Sequence, residues 1–303
     1  MLVTVHIGDR VRSRLPDILS RPATLPVSHA RQGEPLRPGR IYVAPPDLHL
    51  LVSAGAARLS SGPRVNRQRP AIDVMLASAA RWAGPRTVAV VLSGLLDDGA
   101  VGSALVARAA GQVLVQDPTE AIFDPMPRSA LAAVPAARVI PTAQLGEVVA
   151  EMVEQWAQDD EDSADDVVGR EMSQVRMAES DDPYFLSPEE ARLTRLSCPE
   201  CSGGLAEIQI SDFRYYRCHV GHQYSPQSLE MAQREAAEAK LWAAAAALEE
   251  HAALARHLAR HAAASHGEEY RLAAGRSADT ARSLITRLER PEDDRDRSVR
   301  PGR

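Results

Sequence analysis

The chain has 303 residues, a hydrophobic fraction of 45% and a formal net charge of -6. That length buries at least one full core and accommodates two or three units. No apolar run reaches about 18 residues, which excludes a membrane-spanning helix. The acidic balance argues against a nucleic-acid partner, and residues 1–7 are too short for a signal peptide, so a cytoplasmic location is expected.

Taken in chain order, residues 2–7 read as a buried strand ending at His6, and residues 10–20 show apolar positions at helical spacing. Residues 25–27 and 41–43 read as short strands. Residues 50–53 and 57–59 pair as a hairpin around Gly55, and residues 70–83 form a helix opened by Pro70. The β-branched run at 87–92 predicts a strand buried on both faces. A helix over 99–109, a strand over 112–115, a helix start at 127–132, a strand at 139–140 and a helix over 142–157 complete the series. Strands alternating with helices predict an α/β fold with a doubly wound, mostly parallel sheet over residues 1–157.

Charge marks the next boundary. Residues 158–197 hold twelve acidic and four basic residues, against sixteen arginines and thirteen acids in residues 1–157. The acidic stretch reads as a linker with a helical turn near 188–193. Residues 198–226 are compact and Gly-rich. Residues 227–290 read as a helical hairpin with breaks at Gly267 and Gly275, and residues 291–303 as a disordered tail.

Cys198, Cys201, Cys218 and His222 follow the spacing C-x2-C-x16-C-x3-H. Three thiolates and one imidazole satisfy a tetrahedral zinc with no open position, so a zinc-ribbon-like module with a structural Zn²⁺ is expected. Gly221 can swing His222 inward as the fourth ligand, with His219 as the alternative.

The segment 93–100, SGLLDDGA, follows a predicted buried strand and opens a helix. A carboxylate at such a strand end can orient a catalytic His, or it can cap the helix. The segment resembles the "TGM-x-x-DG" motif of the protein-glutamate methylesterase family, which demethylates bacterial chemotaxis receptors. Further blocks match in order: PGRIYVAPPD-x-H at 38–49, NR-x-RP-x-x-D at 66–73, QD at 116–117 and MPR at 126–128.

The resemblance implies a Ser-His-Asp triad in which His6 is the base and Asp98 the acid. Asp97 is then expected to face solvent or to cap, and His49 to be structural. The family's Ser sits on a Gly-rich turn after its first strand, so the nucleophile is expected upstream of Met1 and the 303-residue chain is expected to be inactive by itself. No receiver domain precedes the α/β part of the chain as written, so phosphorylation control in cis is not expected from it. The Cys-rich module looks like one that follows stand-alone domains of this kind.

The activity implied is hydrolysis of glutamyl methyl esters on a methylated chemotaxis-type receptor or another signalling protein, with glutamine deamidation by the same chemistry. The rival expectation is a non-catalytic signalling module, and self-association through the C-terminal helices is a further expectation.

Overall fold

A computed structural model describes residues 1–6, 13–162, 191–210 and 213–289. It divides into two compact bodies, residues 1–229 and a second beginning at Glu230. No helix among the described residues is long and apolar enough to cross a membrane.

The first body opens with β1 (Leu2–Val3), α1 (Leu15–Leu19), β2 (Val27–His29) and β3 (Ile41–Val43). The hairpin β4 (His49–Ser53) and β5 (Ala56–Ser60) follows, then α2 (Ile72–Ala83), β6 (Val88–Val91), α3 (Ala100–Arg108), β7 (Gln112–Gln116), α4 (Pro125–Ala133), β8 (Arg138–Ile140) and α5 (Thr142–Asp162). Two three-stranded sheets result, in the orders β1-β3-β2 and β6-β7-β8, with every pair parallel. The expected single sheet is therefore divided. β1 and β6 each lie at an edge with no further strand partner among the described residues.

The second sheet is covered on both faces, which is why its strands read as apolar runs. Ala89, Val91, Val113 and Val115 enter the main core with Met75 and Leu76 of α2, Ala104 and Val106 of α3, and Met126 and Ala130 of α4. Leu114 and Ile140, with Val88 and Val90, pack against Leu145, Val148, Val149 and Met152 of α5. The run ends early on the outside, where Leu92 is exposed.

Several expected boundaries shift. β1 stops at Val3, so His6 lies in the chain beyond the strand; residues 7–12, which carry the expected start of the first helix, are outside the described residues. α5 runs into the acidic stretch as far as Asp162, and most of the expected linker, 163–190, is outside the described residues. Residues 192–193 are strand rather than helical turn.

The Cys-rich module is larger than its Cys spacing suggested. β9 (Arg192–Ser197), β10 (Gly204–Ile210), β11 (Phe213–Cys218) and β12 (Gln223–Tyr224) form an antiparallel sheet in the order β12-β11-β10-β9. Ile208 and Tyr215 of this sheet share a buried cluster with Leu51, Val65, Ala71, Val74 and Val101 of the α/β part. A backbone bond from Asn66 N–H to the Gln223 carbonyl at 2.8 Å ties the two parts together.

α6 (Pro226–His261) continues into the second body, where α7 (Ala264–Leu288) completes a hairpin. The break falls at 262–263, whereas Gly267 and Gly275 lie inside α7. Ala245 and Ala252 on α6, and Ala274, Ala281 and Leu288 on α7, are buried at seven-residue spacing, the seam of a close antiparallel pair. Trp242, Leu254 and Leu258 are exposed rather than part of that seam. The expected disordered tail, 291–303, is outside the described residues.

His49 pins the first hairpin to the start of α2. It is fully buried; Nδ1 accepts the Ala71 N–H at 3.2 Å and Nε2 donates to the Pro63 carbonyl at 3.0 Å. Burial depresses its pKa to about 4 from the ordinary 6.5. As pH falls below 6.5 the unfolded chain takes up a proton that the folded one refuses, so stability is lost down to about pH 4. Over that window we expect His49 to cost about 3 kcal/mol. Urea unfolding at pH 6.5 and pH 4 should show that loss, reduced by about this amount in a His49→Gln variant; equal losses in both chains would contradict it.

Candidate functional site

Two helix N-termini and two buried carboxylates build the site. Asp98 sits between β6 and α3, yet its side chain caps α2. Oδ2 accepts the Ile72 N–H at 2.7 Å and Oδ1 accepts the Asp73 N–H at 3.1 Å. Asp73, in the first turn of α2, caps α3 in return, with Oδ1 accepting the N–H groups of Gly99 at 2.9 Å and Gly102 at 2.7 Å. Orphan helix-start N–H groups and the positive ends of both macrodipoles thus face these carboxylates. The crossing needs Gly102, because a Cβ there would lie 2.7 Å from Leu76 Cβ and 3.1 Å from the Asp73 Cα.

Asn66 links the two acids. Its Nδ2 donates to Asp73 Oδ2 at 2.9 Å and to Asp98 Oδ1 at 3.2 Å. Asn66 and Arg67 hold left-handed backbone (φ 50° and 65°) in a tight turn closed by reciprocal Val65–Gln68 bonds; Asn tolerates that conformation better than most residues. On the open side, His6 Nε2 lies 2.6 Å from Asp98 Oδ2. The imidazole is about one-quarter exposed and the carboxylate is buried (24% and 2%), so only the ring is accessible to a reactant.

The electrostatics separate the acids. Burial alone would raise the Asp98 carboxyl, but the bond and charge of His6 and the N–H groups of Ile72 and Asp73 hold it below the ordinary carboxylate value. Asp73 is pushed up by burial and by the Asp98 charge beside it. Asp97 is also raised, mainly by burial. The expectation that Asp97 faces solvent or caps its helix is corrected: it is buried and accepts a bond from Ser228 Oγ at 2.9 Å. The loop turns it inward because Leu96 takes left-handed backbone (φ 64°) and exposes its neighbour Leu95 instead.

The sequence-predicted ligand set also converges. One ligand atom each from Cys198, Cys201, Cys218 and His222 lie within 4.8 Å of one another. Cys201 and Cys218 sulfurs are 3.6 Å apart, and His222 Nδ1 lies 3.7 Å from Cys198 Sγ and 3.5 Å from Cys218 Sγ. A tetrahedral zinc with Zn–S of about 2.3 Å separates its sulfurs by about 3.8 Å, so the donor set fits that ion. Burial and the neighbouring thiols push Cys201 up to about 11, a cost that a bound cation removes.

The second knuckle turns at Gly221, whose φ of +105° and 3.0 Å clearance from Pro63 Cγ leave no room for a side chain. His219 lies over Gly203 instead, where a Cβ would meet its ring at 2.2 Å. Glu200 Oε2 stands 3.4 Å from His222 Nε2, where it fixes the ring with Nδ1 toward the thiols.

Sequence reasoning gave no role to Asn66, Asp73, Glu200 or Tyr215. The first two stand in the N…RP-x-x-D block, so a signal existed without a mechanism. Glu200 and Tyr215 carry no local signal, because their partners lie far along the chain.

The first body is thus an α/β domain with a His–Asp pair where the chain leaves two parallel strands. Residues 1–149 match the profile described as CheB methylesterase, and this part of the chain belongs to that family. The protein-glutamate methylesterase/protein-glutamine glutaminase 2 of Anaeromyxobacter dehalogenans is 38% identical over 151 residues, covering 50% of this chain and 44% of that protein. A protein-glutamate methylesterase/protein-glutamine glutaminase of Nocardioides sp. is 39% identical over 132 residues, covering 42% and 36%. The chain therefore spans less than half the length of these relatives. The Thermotoga maritima CheB methylesterase catalytic domain, known as a crystal structure, is 30% identical with a TM-score of 0.47, covering 50% of this chain and 82% of that one.

Replacing Asp73 tests the reciprocal capping. Asp73→Ala strands the buried Gly99 and Gly102 N–H groups and the Asn66 amide, and we expect a loss of about 4 kcal/mol in urea unfolding. A loss below about 1 kcal/mol would show that the cap carries little.

Proposed function

We propose that this chain carries the base and the acid of a protein-glutamate methylesterase, acting in the cytoplasm on methylated glutamates of a chemotaxis-type receptor. The observation that carries this reading is the 2.6 Å contact of His6 with buried Asp98, inside a domain of the CheB methylesterase family. The nucleophile in this reading is a Ser on a turn belonging to a longer chain. Among the described residues β1 and β6 are both edge strands, and the His6–Asp98 contact brings the chain beyond their carboxyl ends together. A parallel strand paired between them would deliver its own terminal turn beside His6.

The chemistry follows from the ring's orientation. With Nε2–H on Asp98, Nδ1 is the nitrogen that takes the hydroxyl proton. The Ser oxygen attacks the ester carbonyl, and His6 then returns the proton to the departing methoxide, releasing methanol. Water, deprotonated by the same nitrogen, cleaves the acyl intermediate and leaves a free glutamate. Asp98 stabilises the imidazolium formed in each half. With a primary amide in place of the ester, ammonia leaves and glutamine becomes glutamate.

The reading also places one structural zinc on Cys198, Cys201, Cys218 and His222. Self-association through α6 and α7 belongs to it as well, supported by the exposed Trp242, Leu254 and Leu258.

Two outcomes are expected. Methanol release from a methylated receptor by the 303-residue chain should be negligible, while a longer chain supplying the Ser should turn over and lose activity on His6→Ala. Turnover on the order of 1 per second by the 303-residue chain, abolished by His6→Ala, would overturn the assignment of the nucleophile. Elemental analysis should give about one zinc per chain, lost in Cys201→Ser; a metal-free protein with an intact module would remove the zinc from the reading.

A further inference from the structure

The metal-ligating module and the candidate catalytic acid meet through one side chain, Asn66. Its Nδ2 is donated to both carboxylates, as described above. Its Oδ1 is held entirely by the module: Ser225 N–H donates to it at 2.9 Å and Tyr215 Oη at 3.3 Å. Tyr215 Oη also lies 3.5 Å from Asp73 Oδ2. Tyr215, Asn66 and Asp73 are buried, so water does not replace these bonds if the module shifts. An amide whose oxygen and nitrogen are both committed cannot turn, and the nitrogen stays on the acids.

Both grips on Asn66 come from segments that the Cys/His cluster fixes. Tyr215 lies on the strand that ends in Cys218, and Ser225 follows His222 across the two residues of β12. The Asn66 N–H to Gln223 carbonyl bond sits between them. Releasing the four ligands frees the ends of β11 and β12, and with them both donors to the Asn66 oxygen.

We propose that the Cys198/Cys201/Cys218/His222 module, loaded with zinc, is a positioning element for the His6–Asp98 pair, acting through Tyr215 and Ser225 on Asn66. The proposal rests on the methylesterase reading of that pair and adds a metal dependence to it. Asn66 and Tyr215 are positioning residues: neither touches a reactant. The physical reason is charge. Asp98 and Asp73 share a site, and like charges in such a site are tolerated only while donors hold both. With the amide released, the pair takes up a proton, and His6 faces one negative charge fewer. Among the described residues, the titratable groups acting on or with Asp98 include His6, Asp73, Asp97, His49 and Tyr215.

The test is the titration of the His6 imidazole by side-chain nitrogen NMR in the full 303-residue chain. It needs no ester hydrolysis and does not depend on the nucleophile. Three samples are compared: zinc-loaded, zinc-stripped by a chelator, and Tyr215→Phe with zinc bound. The zinc-loaded chain should have the highest midpoint. Stripping should lower it by about one pH unit, a tenfold change in proton affinity, and Tyr215→Phe should lower it in the same direction by less. Returning zinc to the stripped chain should restore the midpoint.

A stripped, folded chain with an unchanged midpoint would overturn the proposal. If stripping unfolds the module, Tyr215→Phe decides: an unchanged midpoint there, with one zinc bound, overturns it equally. A chain that binds no zinc also overturns it. Asp98→Asn in the zinc-loaded chain separates the two layers. An unmoved midpoint in that variant means the His–Asp pair itself is wrong, and the proposal falls with the functional reading. A lowered midpoint there, with no response to zinc or Tyr215, sinks the proposal alone.

Discussion

Two buried carboxylates that cap each other's helices set the geometry of this molecule. Asp98 leaves the end of β6 and caps α2; Asp73 leaves α2 and caps α3. Neither charge is tolerable alone in that interior, and each is held by backbone N–H groups aimed from a helix start. The arrangement locks α2 against α3, and it fixes the one Asp98 oxygen that meets His6. Fold and candidate chemistry therefore share the same hydrogen bonds.

That sharing explains how a partly exposed imidazole is kept in one orientation. His6 follows a two-residue strand and is otherwise lightly anchored. Its bond to a carboxylate that cannot move supplies the orientation its own backbone lacks. The module on residues 192–226 extends the same logic outward, because its Tyr215 and Ser225 hold the far end of the Asn66 amide.

Much of this was legible in the sequence, for identifiable reasons. The β-branched run at 88–91 and the apolar spacing of α2 declare themselves locally, since burial on a strand or helix face leaves a periodic trace. The meeting of Asp98 with His6 was legible through a motif block and through the strand that His6 follows, and the convergence of Cys198, Cys201, Cys218 and His222 through their spacing. The turn of Asp97 inward was not legible: one residue of left-handed backbone at Leu96 accompanies the burial of Asp97 as well as its neighbour Asp98, and Leu has no marked preference for that conformation. The bonds of Tyr215 to Asn66 and Asp73 join positions more than 140 apart, and no local pattern encodes them. The helix break at 262–263 was missed because Gly267 and Gly275 mimic breaks, while a long alanine seam carries the helix through them.

The central claim is that Asp98 holds His6 through Nε2 and leaves Nδ1 to act as the base. The side-chain nitrogen spectrum of the neutral His6 ring reads this directly. The account predicts a protonated, hydrogen-bonded Nε2 and an unprotonated Nδ1, with the Nε2 signal losing its bonded character in Asp98→Asn. A neutral imidazole protonated at Nδ1, or an Nε2 signal indifferent to Asp98→Asn, would contradict it.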